Sequence, residues 1–104
     1  SIPVLVFDEI DANIGGEVGR AVGQKLRRVS ESHQVISITH LPQSAVYGRQ
    51  HYVVSKAVAQ GRTKMRIARL DEPQRVDEIA RMLGGKGLTS VIESHARELL
   101  ASAR

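Results

Sequence analysis

The hydrophobic and polar positions of the first half of the chain predict a strand, a helix and a second strand. Residues 4–7 are a continuous apolar run, typical of a strand buried on both faces in a parallel sheet. Apolar residues then recur every three or four positions from about residue 17 to residue 32, which predicts a helix. A β-branched run at residues 34–39 completes a βαβ unit, so we expect parallel strands with a right-handed crossover. Close packing of this helix against the sheet is indicated by its glycines, Gly16, Gly19 and Gly23.

The second half predicts a hairpin followed by two helices. Residues 51–58 alternate as a strand, Gln60 and Gly61 make a turn, and basic and apolar residues alternate over residues 62–67. One face of this hairpin is therefore basic, which fits either a solvated edge or a nucleic-acid contact. A helix begins near residues 71–73 and continues through Met82 until Gly84 and Gly85 stop it, and a last helix covers residues 89–103.

Composition limits the protein class. A chain of 104 residues is one domain at most, and 41% hydrophobic residues suffice for a core. No apolar run approaches the roughly 18 residues that span a bilayer, and no signal peptide is visible, so we expect no membrane contact. The absence of cysteine excludes disulfides and fits a reducing cytoplasm. A net charge of +4 permits contact with nucleic acid or phosphates. Little sequence precedes the first strand, which suggests a fragment of a longer chain.

The first strand ends in adjacent carboxylates, Asp8 and Glu9. Open α/β sheets bind their ligands at the carboxyl ends of parallel strands. An aspartate there can hold a hydrated magnesium ion, and its neighbour can orient or deprotonate an attacking water. This is the pattern of a Walker B strand, although an acidic strand end that merely faces solvent would look the same. His40 follows the second strand, and parallel pairing would place it at the same edge.

A phosphate-binding loop is missing from the chain. Residues 84–90 superficially resemble a P-loop, but Lys86 is followed by Gly87 instead of Ser or Thr, and Ala80 replaces the first glycine. A nucleotide hydrolase cannot hold its β- and γ-phosphates without such donors. Either another segment supplies them, or the hydrolase interpretation is wrong.

Several motifs in order resemble one known family. They are Val4-Leu5-Val6-Phe7-Asp8-Glu9-Ile10-Asp11 with Ile14-Gly15-Gly16, Val35-Ile36-Ser37-Ile38-Thr39-His40-Leu41-Pro42-Gln43, Gln50-His51-Tyr52-Val53-Val54-Ser55-Lys56, and Glu78-Ile79-Ala80-Arg81-Met82-Leu83-Gly84-Gly85. Together they resemble the carboxyl-terminal part of the bacterial RecN family, an SMC-like branch of ABC-type ATPases that acts in DNA double-strand break repair. The likeness covers essentially the whole chain.

The resemblance implies a fold and a site. Residues 1–104 would be the α/β carboxyl-terminal lobe of a split P-loop ATPase head of the ABC/SMC type, with the Walker A lobe and the coiled coil lying elsewhere. Asp8 would organise Mg²⁺ mostly through water, and Glu9 would polarise the attacking water. His40 would be the switch histidine on the γ-phosphate, with Gln43 near the nucleotide. The D-loop at the interface between two heads would comprise Asp11, Ala12, Asn13, Ile14, Gly15 and Gly16.

The resemblance also implies partners and a location. The cofactors would be ATP and Mg²⁺, and the partners the amino-terminal half of the same head, a second head in an ATP-dependent homodimer, and DNA. The full-length protein would act in DNA recombination and repair, in the bacterial cytoplasm and associated with the nucleoid. Gly15 stands where most ABC ATPases have the D-loop aspartate, so signalling through that carboxylate is not expected here. This chain alone should have no ATPase activity.

Two other functions fit part of the sequence. Residues 8–11 read D-E-x-D, the box of a helicase core, but such helicases carry Ser-Ala-Thr on the next strand, and this chain has Ser-Ile-Thr-His. A non-enzymatic DNA-binding module could use the basic residues Arg62, Lys64, Arg66 and Arg69, and it would bind DNA with a steep salt dependence. It would leave the paired carboxylates unexplained.

Overall fold

A computed structural model describes residues 4–8, 15–84 and 89–104. In chain order, the elements are β1 (Val4–Asp8), α1 (Gly16–Val29), β2 (Gln34–Ile38), α2 (Pro42–Ala45), β3 (Tyr52–Ala59), β4 (Arg62–Arg69), α3 (Glu72–Gly84) and α4 (Ser90–Ser102). The predicted order of strand, helix, strand, hairpin and two helices is confirmed, with the short helix α2 between β2 and the hairpin. α1 ends three residues earlier than predicted, where the hydroxyl of Ser30 donates to the Arg27 carbonyl at 2.5 Å. Serine side chains that bond to nearby backbone in this way compete with the helix.

Two separate two-stranded sheets are formed within the described residues. β1 and β2 pair in parallel, with Val4 opposite Gln34 and Asp8 opposite Ile38. β3 and β4 pair as an antiparallel hairpin, with Tyr52 opposite Arg69 and Ala59 opposite Arg62.

The predicted burial of β1 on both faces is wrong. Leu5, Phe7 and Val35 are half-buried, whereas the other face of the same sheet is open to solvent. The open sheet face consists of Val4, Val6, Ile36 and Ile38, which are 48–62% exposed. α1 packs against β2, and no second layer covers the open sheet face within the described residues.

The hydrophobic core lies between α3, α4 and the segment that follows α2. Its buried residues are Val46, Tyr47, Val76, Ile79, Ala80, Ala96, Leu100 and Ala103. Ile79 is fully buried, as the helical periodicity of α3 predicts. Along α4, Ala96, Leu100 and Ala103 are buried in this core, and Ile92 and Leu99 are partly buried against it.

α1 packs closely on α2 through its glycines, and the prediction that they face the sheet is wrong. A Cβ atom added to Gly19 would lie 3.1 Å from Leu41 Cδ1, and one added to Gly23 would lie 2.6 Å from Tyr47 Cδ2. The Ser44 hydroxyl donates a buried 2.8 Å hydrogen bond to the Gly19 carbonyl. Val18 is one of the regularly spaced apolar residues that predict α1, yet it is 52% exposed. Because glycine has no side chain, α1 can approach α2 closely along the face that carries Gly19 and Gly23.

Gly23→Ala should therefore destabilise the chain. The new methyl group would meet both the Tyr47 ring and the backbone of Ser44, 3.2 Å away, so a side-chain rotation alone cannot relieve the clash. We expect a loss of about 1–3 kcal/mol, despite the higher helix propensity of alanine. Gln24→Ala is the control, because Gln24 is an exposed residue in the same helix and its replacement changes no buried contact. Urea unfolding of both variants measures the difference, and equal stabilities would contradict the packing.

His51 should make stability depend on pH. Its pKa is lowered from 6.5, first by burial and then by the charge of Arg75, against a smaller opposing effect of Glu78. Below pH 6.5 the unfolded chain takes up this proton more readily than the folded one. Stability should therefore be retained above pH 6.5 and fall as the pH drops below it. Urea unfolding between pH 5 and 8 should show a shallower decline for His51→Gln; equal declines would refute this assignment.

Candidate active site

The carboxyl edge of the β1–β2 sheet brings two predicted site residues to one place. Asp8 is the last residue of β1 and pairs with Ile38, the last residue of β2. His40 follows two residues later, and both Asp8 and His40 are exposed. Parallel pairing thus places a carboxylate and an imidazole at the edge where α/β sheets bind ligands.

A tight turn after β2 sets the position of His40. The Leu41 amide donates to Thr39 Oγ1 at 3.0 Å, a local bond that turns the chain out of the strand. Pro42 then occupies the first turn of α2, where its fixed φ suits a helix and its missing N–H costs nothing. His40 therefore lies in a short connection between β2 and α2, each of which is packed against other elements.

Part of the predicted site lies outside the described residues. This holds for Glu9, the predicted catalytic carboxylate, and for residues 11–14 of the predicted D-loop. Gly15 and Gly16 are described. Gly15 is the N-cap of α1, and its carbonyl accepts from the Gly19 amide at 2.9 Å. The end of the predicted D-loop is therefore the start of a regular helix.

Gln43 contacts the end of the predicted D-loop. A Cβ atom on Gly16 would lie 3.2 Å from Gln43 Nε2 and 3.3 Å from its Cδ. The Gln43 side chain is half-buried against the first turn of α1. This contact is structural; the predicted contact of Gln43 with nucleotide stays a prediction.

A buried arginine fixes the other end of α2. Arg75 is only 7% exposed, and its Nη2 donates to three carbonyl oxygens, those of Ala45 at 3.1 Å, Val46 at 3.3 Å and Gly48 at 2.5 Å. These carbonyls belong to the last residue of α2 and to the segment directly after it, where helices carry partial negative charge. Burial lowers the pKa of the Arg75 guanidinium, an effect that Glu72 partly opposes. An arginine still keeps its proton at neutral pH.

Sequence reasoning missed Ser44 and Arg75. Arg75 had a signal, because it lies four residues before Ile79 and so shares the inward face of α3. A charged residue at such a position needs buried acceptors. Ser44 had none, because its partner is a main-chain carbonyl 25 residues earlier in the chain.

The donor set at this edge fits a weakly held, hydrated cation. Mg²⁺ sites in nucleotide hydrolases use one or two carboxylates together with waters and substrate phosphates. Asp8 provides one such carboxylate. Within residues 4–8, 15–84 and 89–104, no group of three or more His, Cys, Asp or Glu side chains could hold a metal ion by itself. No helix in the same ranges is long and apolar enough to cross a membrane.

Comparison with known proteins gives relatives for almost the whole chain, although no family model matches it. DNA repair protein RecN of Xylella fastidiosa (strain 9a5c) is 48% identical over 100 residues, 96% of this chain. RecN of Deinococcus radiodurans is 46% identical over 99 residues, and RecN of Bacillus subtilis is 39% identical over 99 residues. The chain spans only 17–18% of the length of these relatives.

A solved structure from work on "ATP-driven dimerization and DNA stimulated activation of SMC ATPases" shares the fold. The match has a TM-score of 0.61 and 19% sequence identity, and it covers 82% of this chain and 50% of the other. It confirms the predicted α/β fold, with a parallel pair, an antiparallel hairpin and carboxyl-terminal helices. Over nearly its whole length, the chain is thus similar to the carboxyl-terminal region of the RecN family of bacterial DNA repair proteins.

Proposed function

We propose that this chain forms one side of the ATP-hydrolysing site of a RecN-type DNA repair protein. The observation that carries the proposal is the shared edge of Asp8 and His40 at the ends of two parallel strands. Asp8 organises Mg²⁺, mostly through water, and His40 contacts the γ-phosphate. Glu9, next to Asp8 in sequence, polarises the attacking water.

The chemistry of this site is positioning and electrostatic stabilisation. In phosphoryl transfer, negative charge spreads over the oxygens of the transferred group, and the protein gains most by opposing that charge and by aligning the nucleophile. A bound Mg²⁺ neutralises part of the charge. His40 donates to a phosphate oxygen, and Glu9 accepts a hydrogen bond from the attacking water.

The site needs a second segment for the phosphates, and we propose the amino-terminal half of the same head. The open sheet face supports this proposal, because Val4, Val6, Ile36 and Ile38 are apolar yet 48–62% exposed. A β-strand with apolar residues on both faces normally has a layer on each side. The RecN relatives are much longer than this chain and have room for such a layer.

We propose that residues 11–16 form the D-loop, through which a second head binds in an ATP-dependent homodimer. Gln43 and Ser44 of α2 contact Gly16 and Gly19 of α1, so the end of the D-loop and the connection that carries His40 belong to one packed unit. Head engagement would thereby affect the position of His40. Hydrolysis would separate the heads and change how the full-length protein holds DNA during double-strand break repair and recombination.

The proposed setting is the bacterial cytoplasm, with association to the nucleoid. A DExD-box helicase fragment is the alternative enzyme, but 39–48% identity to RecN proteins across the chain favours the ATPase head. The non-enzymatic alternative, a basic DNA-binding module, does not account for Asp8 and His40 at one edge.

Glu9→Gln should separate binding from hydrolysis in a complete RecN polypeptide that carries this chain. The amide keeps the shape of the side chain but cannot act as a base. We expect ATP binding to be retained, hydrolysis to slow by about 10²- to 10⁴-fold, and the head dimer to live longer. Nucleotide-binding titrations, steady-state hydrolysis and size-exclusion chromatography measure these three quantities. Glu31→Gln, an exposed glutamate in the turn after α1, is the matched control. Unchanged ATP turnover by the Glu9→Gln variant would contradict the assignment of Glu9 as the residue that polarises the attacking water.

The 104-residue chain alone should not hydrolyse ATP, because it has no phosphate-binding loop. Co-expression with the preceding half of the head should restore both hydrolysis and nucleotide-dependent dimerisation. Magnesium-dependent turnover by the isolated chain, abolished by Glu9→Gln, would show that the site is already complete and would overturn the split-head proposal.

A further inference from the structure

Positive charge is concentrated in and around the β3–β4 hairpin. Residues 49–70 contain six of the 15 lysines and arginines of the chain and none of its 11 acidic residues. The rest of the chain has nine basic against 11 acidic residues. The net charge of +4 therefore arises entirely from this segment.

The pairing register divides the hairpin into two chemically different faces. Residues opposite each other in an antiparallel pair lie on the same face. Arg62, Lys64 and Arg66 of β4 pair with Ala59, Ala57 and Ser55 of β3; these six residues form the basic face. The opposite face carries mostly apolar side chains: Tyr52, Val54, Val58, Met65 and Ile67.

The basic face is open and regularly spaced. Every residue of β4 is exposed, and the small partners on β3 leave space around the three cations. None of these cations belongs to an ion pair in the described parts of the chain, where the salt bridges are Arg81–Glu78, Arg97–Glu93 and Arg104–Glu72. Alternate residues on a strand are about 6.8 Å apart, close to twice the roughly 3.4 Å rise between phosphates along one DNA strand.

The side chains on the basic face also indicate which nucleic acid it suits. Proteins that bind single strands combine basic grooves with aromatic side chains on which bases stack. The basic face has no aromatic residue, and Tyr52 lies on the other face. Duplex DNA hides its bases and presents phosphates, which lysine and arginine contact without reading sequence.

We propose that the basic face of the β3–β4 hairpin binds the phosphate backbone of double-stranded DNA, independently of sequence. The relatives of this chain are named DNA repair proteins, which agrees with a DNA-binding surface. The proposal concerns a surface separate from Asp8 and His40, so it does not depend on the ATP site.

The test uses the complete RecN polypeptide carrying this chain, without nucleotide, and a fluorescent duplex of arbitrary sequence. Arg62→Gln, Lys64→Gln and Arg66→Gln are combined in one variant. Its matched control combines Lys25→Gln, Lys56→Gln and Arg69→Gln, which removes the same charge from α1 and from the opposite face of the hairpin. Circular dichroism melts verify that both variants are folded.

Removal of three phosphate contacts should make the negative slope of log affinity against log salt less steep by about 2–3. It should also weaken binding about ten-fold or more near 0.1 M salt. The control should keep nearly the original slope, and the charge-conserving pair Arg62→Lys with Arg66→Lys should keep it as well. Equal losses in the basic-face variant and the control would overturn the proposal. So would an intact duplex affinity accompanied by a loss of single-stranded DNA binding.

Discussion

The contact between Arg75 of α3 and the end of α2 connects the β1–α1–β2 unit, on which α2 packs, to the core formed by α3 and α4. A buried guanidinium is costly unless it finds acceptors, and here the carbonyls of Ala45, Val46 and Gly48 accept from its Nη2, while its buried Nε has no partner within the described residues. The same segment carries Val46 and Tyr47 into the core against α3 and α4. α2 has only four residues and could not persist by itself, so its position depends on these contacts.

The rest of the proposed site is built outward from α2. α2 begins two residues after His40 in the chain. Ser44 and Tyr47 contact α1 at Gly19 and Gly23 and so fix its position. The end of the predicted D-loop at Gly16 is thereby held next to Gln43. A small displacement of α2 would alter the end of the predicted D-loop and the His40 connection together, since close-packed interiors transmit strain.

Much of the fold could be predicted from sequence, because apolar periodicity and turn residues specify elements directly. The βαβ order also placed Asp8 and His40 at one edge, and the β1–β2 pairing confirms this. Periodicity does not specify which layer covers an apolar face. For that reason the burial of β1 and the partner of the α1 glycines were predicted wrongly. Ser44 was missed because its partner is a main-chain carbonyl, which leaves no trace in side-chain patterns. Arg75 was missed although its place on the inward face of α3 was a signal, since its acceptors are also main-chain carbonyls.

The open sheet face and the proposed division of the ATP site would have one physical cause. β1 is apolar on both faces, so covering its exposed face with a second layer would lower the free energy of the fold. We propose that the same layer supplies the phosphate-binding donors of the site. Burial of Val4, Val6, Ile36 and Ile38 would then bring the two sides of the proposed ATP site together. In such an arrangement, hydrolysis is tied to the packing of the head, because the contacts that bury the sheet also complete the chemistry.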